Sequence, residues 1–416
     1  MTQRTTAASC ATGVIVTLGA LATADCGGDP QRWSALLRQL GGMSPADRSA
    51  AVEVYVTKHG GTPLIENQTR LIFLARDVDG AAPRVVGDFN AWAQAPGPGL
   101  PPPPAGNAAS GTMTRIEGTD WSYLESTAFS NARLEYVLVI DAPAGTPATR
   151  ASVRPDPLNP RSVQSFAGPR SEARMPLWVA QPEIDGPGAA PAGSIIDESV
   201  PSKELGGARR VWFYLPPGYN PTGQELYPVA FVLDGGSYVE RMDVPRVLDR
   251  LIASAAIPPL IAVFSEPADR QEEYSRNPRW RAFMSKELVP LVDKRFRTFP
   301  APDHRIVLGS SLAAYGAVDL AIEFPSIFGL CAAIAPPAQA ATLVANQAHA
   351  KAAVRSTRFF VLGGLYDSLI DGARRLRTSL DDVDAAVKYL EVSEGHSTET
   401  FRGHLDDAVR ALLPQQ

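Results

Sequence analysis

Between positions 210 and 392, short and nearly continuous apolar runs alternate with stretches of helical periodicity, and this alternation constrains the chain more than any other feature. The runs cover 210–215, 227–233, 259–265, 304–308, 330–335, 358–362 and 387–392. Helical patterns fall at 244–253, 280–296, 312–324, 371–383 and 398–413. A strand that is apolar along its whole length must be buried on both faces, which a mostly parallel sheet flanked by helices provides. In such sheets reactive groups collect at the carboxyl ends of the strands.

The sequence before this region reads differently. Arg4, the small apolar run 11–21 and Ala22-Thr23-Ala24 form the pattern of an export signal with its cleavage site, so residues 1–24 are expected to be removed and the mature chain to be periplasmic or extracellular. The apolar run is too short to anchor a membrane span. Residues 25–62 read as a short helical segment. Trp33, Leu36, Leu37 and Leu40 have helical spacing, and Ser44-Pro45 reads as an N-cap followed by a first-turn proline. From 63 to 181, short β-rich runs separated by turn residues predict a β-sandwich. Trp92 within it reads either as a sugar-stacking platform or as a core tryptophan. Residues 182–201 read as a linker, and 202–416 as the parallel-sheet domain.

Composition narrows the function. With 39 Lys+Arg against 44 Asp+Glu, the formal charge of −5 offers no basic footprint for nucleic acid and no polybasic membrane patch. Of the three cysteines, Cys10 leaves with the signal, Cys26 lies near the mature terminus and Cys331 falls in an apolar run. A disulfide framework and a metal cluster are therefore not expected.

The chemistry-bearing motif is Leu308-Gly309-Ser310-Ser311-Leu312-Ala313, where a buried strand meets a helix. A nucleophile elbow requires small residues two positions on either side of the serine. Ser311 has Gly309 and Ala313 there, whereas Ser310 would have Leu308 and Leu312. A serine hydroxyl needs a base. Of the histidines, His59 precedes Gly60-Gly61 in the N-terminal region, His349 lies in a polar segment, His304 is at the wrong end of its strand, and His404 falls in the last helical pattern. His396 follows a strand and stands last in chain order. Asp367, just past the run 358–362, is the expected orienting acid, while Asp371 suits the start of the next helix. For the oxyanion, the expected N–H donors are Leu312 and either Gly235 or Gly236, in the loop after 227–233.

With these residues in place, the region from 202 onward resembles the enterochelin esterase-like branch of the α/β-hydrolases, a branch that includes esterase D-like, feruloyl and acetylxylan esterases. The resemblance rests on 209–219, 227–235, Arg270 with Glu273-Tyr274, 287–290, the elbow, and Glu394-Gly395-His396 with Phe401-Arg402. Gly364 to Ile370 is similar to the acid loop of feruloyl esterases. Val86 to Trp92 resembles early-set immunoglobulin-like domains, which in related esterases precede the hydrolase and help to shape its cleft.

The resemblance implies an α/β-hydrolase fold behind an immunoglobulin-like β-sandwich. It also implies a Ser311–Asp367–His396 triad, no cofactor or metal, and ester hydrolysis through an acyl-enzyme. The ester would be a siderophore or, alternatively, a feruloyl or acetyl group carried by a polysaccharide. Departures are Ala313-Ala314 for Gly-Gly after the nucleophile, Glu394 for the first of two glycines before the histidine, and Ser397 for an aspartate. They bear on substrate and turnover rather than on the triad. Arg270, Glu273 and Tyr274 read equally as substrate contacts or as a structural cluster. A reading of another class is a binding protein with a degenerate hydrolase domain.

Overall fold

The computed structural model describes residues 32–78, 81–94, 106–140, 153–186, 188–345 and 350–413. The expected signal segment, Cys10, Cys26 and His349 lie outside these residues. The chain divides into two compact units, Met1–Met43 and Ser44–Gln416. The first unit contains the helix Trp33–Leu40, whose Trp33, Leu36 and Leu40 are buried. The second opens with the helix Pro45–Lys58. Ser44 caps it by accepting from the Asp47 N–H, with proline at its first position, as the sequence predicts.

Two antiparallel sheets follow. The strands are β1 (Leu64–Glu66), β2 (Arg70–Arg76), β3 (Arg84–Gly87), β4 (Thr114–Arg115), β5 (Trp121–Thr127), β6 (Arg133–Val139), β7 (Val153–Arg154), β8 (Ser162–Ser165) and β9 (Gly168–Arg174). One sheet has the order β1-β2-β5-β4, the other β3-β6-β9-β8 with β7 on β6. Their core holds Leu71, Phe73, Val85, Phe89, Leu134 and Tyr136. Phe73 stacks on Phe89 at 4.8 Å and meets Tyr136 edge-on at 4.9 Å, the ring arrangements that aromatic quadrupoles favour.

Trp92 is part of this architecture. Its Nε1–H donates to Asp88 Oδ1 at 3.0 Å, and the Arg170 guanidinium covers its ring at 4.1 Å. Its edge packs on Val86, Val137 and Val139. These contacts favour the core reading over the sugar platform.

The larger sheet has eight strands: β10 (Ser194–Ser202), β11 (Gly207–Leu215), β12 (Val229–Leu233), β13 (Ile261–Ser265), β14 (Arg305–Ser310), β15 (Leu330–Ile334), β16 (Arg358–Gly364) and β17 (Ala386–Val392). Their order is β10-β11-β13-β12-β14-β15-β16-β17. Every neighbouring pair from β13–β12 to β16–β17 is parallel, and β10–β11 and β11–β13 are antiparallel. Alternate residues serve opposite layers. Val211, Phe213, Phe231 and Val307 enter one core, and Trp212, Tyr214, Val232 and Leu308 the other. Helices cover both faces, so this is the α/β-hydrolase architecture expected from the alternation of apolar runs and helices.

Two local expectations change. Positions 182–201 are not a plain linker: Pro182–Asp185 is a helical turn, and Ser194 begins the edge strand β10. The alanine-, proline- and glycine-rich composition ends at Gly193, after which nine paired positions bind β10 to β11. The last helical pattern breaks at His404 into Thr398–Gly403 and Leu405–Leu412. Among the described residues no helix is long and apolar enough to cross a membrane.

Candidate active site

Ser311 joins β14 to the helix Leu312–Glu323 with φ 57° and ψ −128°. A positive φ on a residue with a side chain is strained, and such strain concentrates at functional turns. The steric logic of the motif is visible at Gly309, where a Cβ would stand 2.2 Å from the Ala313 carbonyl oxygen. Ser311 N–H donates to Ile334 O at 2.9 Å, which ties the turn to β15.

The structure brings together the three side chains singled out in the sequence. His396 Nε2 lies 3.1 Å from Ser311 Oγ, and His396 Nδ1 lies 2.8 Å from Asp367 Oδ2. Asp367 is 1% exposed, and its other oxygen accepts from the Leu369 N–H at 2.8 Å. Asp371 instead pairs with Arg375 one turn along its helix. The imidazole is one-third exposed, with Phe401 edge-on at 5.1 Å. This chain of contacts can pass a proton from the hydroxyl to the ring while the buried carboxylate fixes the tautomer.

The expected oxyanion donors stand in different local settings. Leu312 is the first residue of its helix, so its N–H has no acceptor within that helix. In the loop after β12, Gly236 N–H donates to Glu266 Oε2 at 2.6 Å and is therefore engaged. Gly235 packs so closely on β13 that a Cβ would stand 2.7 Å from the Phe264 carbonyl carbon. Asp234, with φ 60°, anchors the loop: Arg270 grips it with two bonds of 2.7 and 2.6 Å, and Tyr274 Oη donates to it at 3.1 Å. Glu273 accepts from Arg209 Nε at 3.0 Å. Glu273 and Tyr274 thus make structural contacts, whereas Arg270 both holds Asp234 and borders the cleft. A cleft of about 230 Å³ opens over the serine, walled by Phe166, Ser237, Arg241, Arg270, His396 and Phe401.

No motif in the sequence signals how closely the N-terminal sheets grip the histidine loop. Arg133 N–H donates to Ser393 O at 3.1 Å, and Arg133 bridges Glu394 in parallel register, so β6 continues hydrogen bonding beyond the end of β17. The Arg133 guanidinium reaches Glu394 at 2.8 Å, both side chains being buried. Ser393 Oγ donates to Asn131 at 2.9 Å, and Thr398 Oγ1 to Gln164 O at 2.7 Å. Beside Asp367, Tyr366 Oη accepts from Phe129 N–H at 2.9 Å, and its ring joins the core of the sandwich.

Burial would raise the Glu394 carboxyl, but Arg133 and His404 overcome that and hold it well below the carboxylate range. His404, opposed by its own burial, is lifted to about 9 by Asp407 and Glu394. Burial raises Asp88 to about 6, against bonds from the Glu135 N–H and Trp92, and raises Glu135 to about 7, helped by Asp88.

These shifts make stability depend on pH. Asp88 and Glu135 keep their protons in the fold above the pH at which the unfolded chain releases them, near 4. The stability they contribute is complete below about pH 4 and is lost as the pH rises to about 7. The His404 contribution is lost between about 6.5 and about 9. Glu394 acts in the opposite sense and is lost in acid. Melting curves should therefore peak near pH ~5 and decline towards pH ~9. His404→Gln should flatten the alkaline limb, and a midpoint that climbs between pH 6 and 9 would contradict this account.

Comparisons with known proteins agree with the fold. The structure of ferric enterobactin esterase from Salmonella typhimurium superposes with TM-score 0.68 at 21% identity, covering 87% of this chain and 98% of that one. Enterobactin esterase from Shigella flexneri, crystallised in the presence of enterobactin, gives 0.66 at 22%, covering 86% and 96%. In sequence, iron(III) enterobactin esterase of Escherichia coli K12 is 27% identical over 268 residues, 60% of this chain and 65% of that protein. The counterpart from Escherichia coli O6:H1 is 31% identical over 180 residues, 42% and 44%. The aligned region thus spans less than two thirds of the length of these curated relatives. The family described as "Putative esterase" matches residues 202–412, about half of the chain, which takes in β11 to β17 of the large sheet and only the last residue of β10. The chain belongs to this esterase family.

Proposed function

We propose that the protein is a serine carboxylic-ester hydrolase working through an acyl-enzyme. The observation that carries this reading is the continuous Ser311–His396–Asp367 contact chain on a strained elbow. Ser311 Oγ attacks the ester carbonyl while His396 Nε2 takes its proton and Asp367 steadies the imidazolium. The N–H groups of Leu312 and Gly235 hold the oxyanion, Gly236 being occupied by Glu266. His396 then protonates the departing alcohol. Water, activated by the same imidazole, releases the acid and restores the serine.

The substrate we favour is an ester of a catecholate siderophore such as enterobactin, the compound named for the relatives in sequence and structure. Arg241, exposed on the cleft wall, would meet an anionic ferric complex. The aromatic walls Phe166 and Phe401 keep a feruloyl ester as the second reading. Residues 1–24 would direct export, and the N-terminal sheets would form an immunoglobulin-like sandwich at the cleft.

A fluorophosphonate tests the chemistry, because it phosphonylates only a serine activated in this way. Mass spectrometry of the treated protein should find one adduct, on the peptide carrying Ser311. Labelling elsewhere, or an unreacted protein, would instead favour a degenerate hydrolase domain. Rates on ferric enterobactin, methyl ferulate and p-nitrophenyl acetate would then rank the substrates.

A further inference from the structure

The geometry points to Asp88, a residue of the N-terminal sheets, as a positioning residue for His396. This rests on the hydrolase reading above. Asp88 follows β3 and is 5% exposed. Its carboxylate lies directly over the Cα of Gly395: a Cβ built there would stand 2.2 Å from Oδ1, 2.3 Å from Cγ and 2.5 Å from Oδ2. The carboxylate cannot swing aside, because Oδ2 accepts from the Glu135 N–H at 2.7 Å and Oδ1 from Trp92 Nε1 at 3.0 Å. Beyond the same peptide, Thr400 Oγ1 donates to the Gly395 carbonyl at 2.9 Å. The residue before His396 is thereby held between a fixed carboxylate on the N-terminal side and a fixed hydroxyl on the hydrolase side.

A carboxylate bound entirely within its own domain would also be satisfied if it only capped the turn after β3. Kinetics separate the two roles. The reactive alignment of an imidazole with a hydroxyl is sensitive to displacement, and about 1 Å can cost on the order of 100-fold. A methyl on residue 395 has no room unless the histidine loop lifts.

The experiment uses the full chain with p-nitrophenyl acetate, a substrate too small to depend on remote contacts. Gly395→Ala should lower kcat about 100-fold, with KM changed less than about threefold. Asp88→Ser should lower kcat about 10-fold, and the double variant should exceed Gly395→Ala alone, because removing the carboxylate makes room for the methyl. Rates are normalised to folded protein by circular dichroism, so a loss due to unfolding alone leaves kcat per folded molecule unchanged and overturns the proposal. It is equally overturned if the two single losses combine additively. Should Asp88→Ser not fold, the kcat and KM of Gly395→Ala decide by themselves. If the wild-type protein fails to hydrolyse the ester, the hydrolase reading fails first, an outcome distinct from an active wild type whose variants match it.

Discussion

Ser311→Ala is expected to lower kcat for p-nitrophenyl acetate on the order of a millionfold while leaving the melting curve near that of the wild type. Where serine and histidine act as a unit, losing either costs about as much as losing both. His396→Ala should therefore match it, and the double variant should be no worse. The small remaining rate, still on the order of a thousandfold above water, would come from the N–H donors and from binding. Because the Ser311 side chain caps nothing in its helix and its backbone N–H, bound to Ile334, is kept by alanine, little stability is at stake. Initial rates corrected for spontaneous hydrolysis decide the matter: a Ser311→Ala protein retaining more than about one hundredth of the wild-type rate would end the acyl-enzyme reading.

Arg133→Met is the second large effect, and it concerns stability. The pair with Glu394 is buried, with side-chain exposures of 4% and 6%. Removing one partner of such a pair strands the other charge in a low-dielectric site at a cost of about 3–5 kcal/mol. For a domain of this size that corresponds to a fall in melting midpoint on the order of 10 °C. His404, at 3.5 Å from Glu394, offsets part of the stranded charge. Adding Glu394→Leu should recover much of the loss, because a pair replaced by apolar groups leaves no charge to bury. A single variant that melts within a degree or two of the wild type would show that the pair contributes nothing.

Local chemistry explains why the large sheet and the elbow are legible in the sequence. Gly309 and Ala313 are small because the turn allows nothing larger, and the strand positions are apolar because both faces are covered. Asp367 and His396 could be placed because each follows a strand at the reactive edge. The edge strand β10 escapes that logic. It packs on one side, its residues are mostly exposed, and it begins directly after a glycine- and proline-rich stretch. Which of two adjacent glycines has its N–H engaged depends on Glu266, thirty positions away. Asp88 and Arg133 lie further still beyond sequence reading. Their partners are hundreds of positions distant, and their own segments read equally well as ordinary turns and strands of a sandwich.

The hydrogen bonds that carry β6 past the end of β17 also bear on how such a protein can be divided. A shortened version beginning near Gly193 would keep every group of the proposed triad. It would nevertheless expose the Tyr366 ring, leave Glu394 without its guanidinium and release the backbone of Ser393. The two halves are stitched at the residues just before the histidine. Any recombinant trimming or shuffling of modules has to carry both sides of that seam together, or supply a replacement shaped to the same three residues.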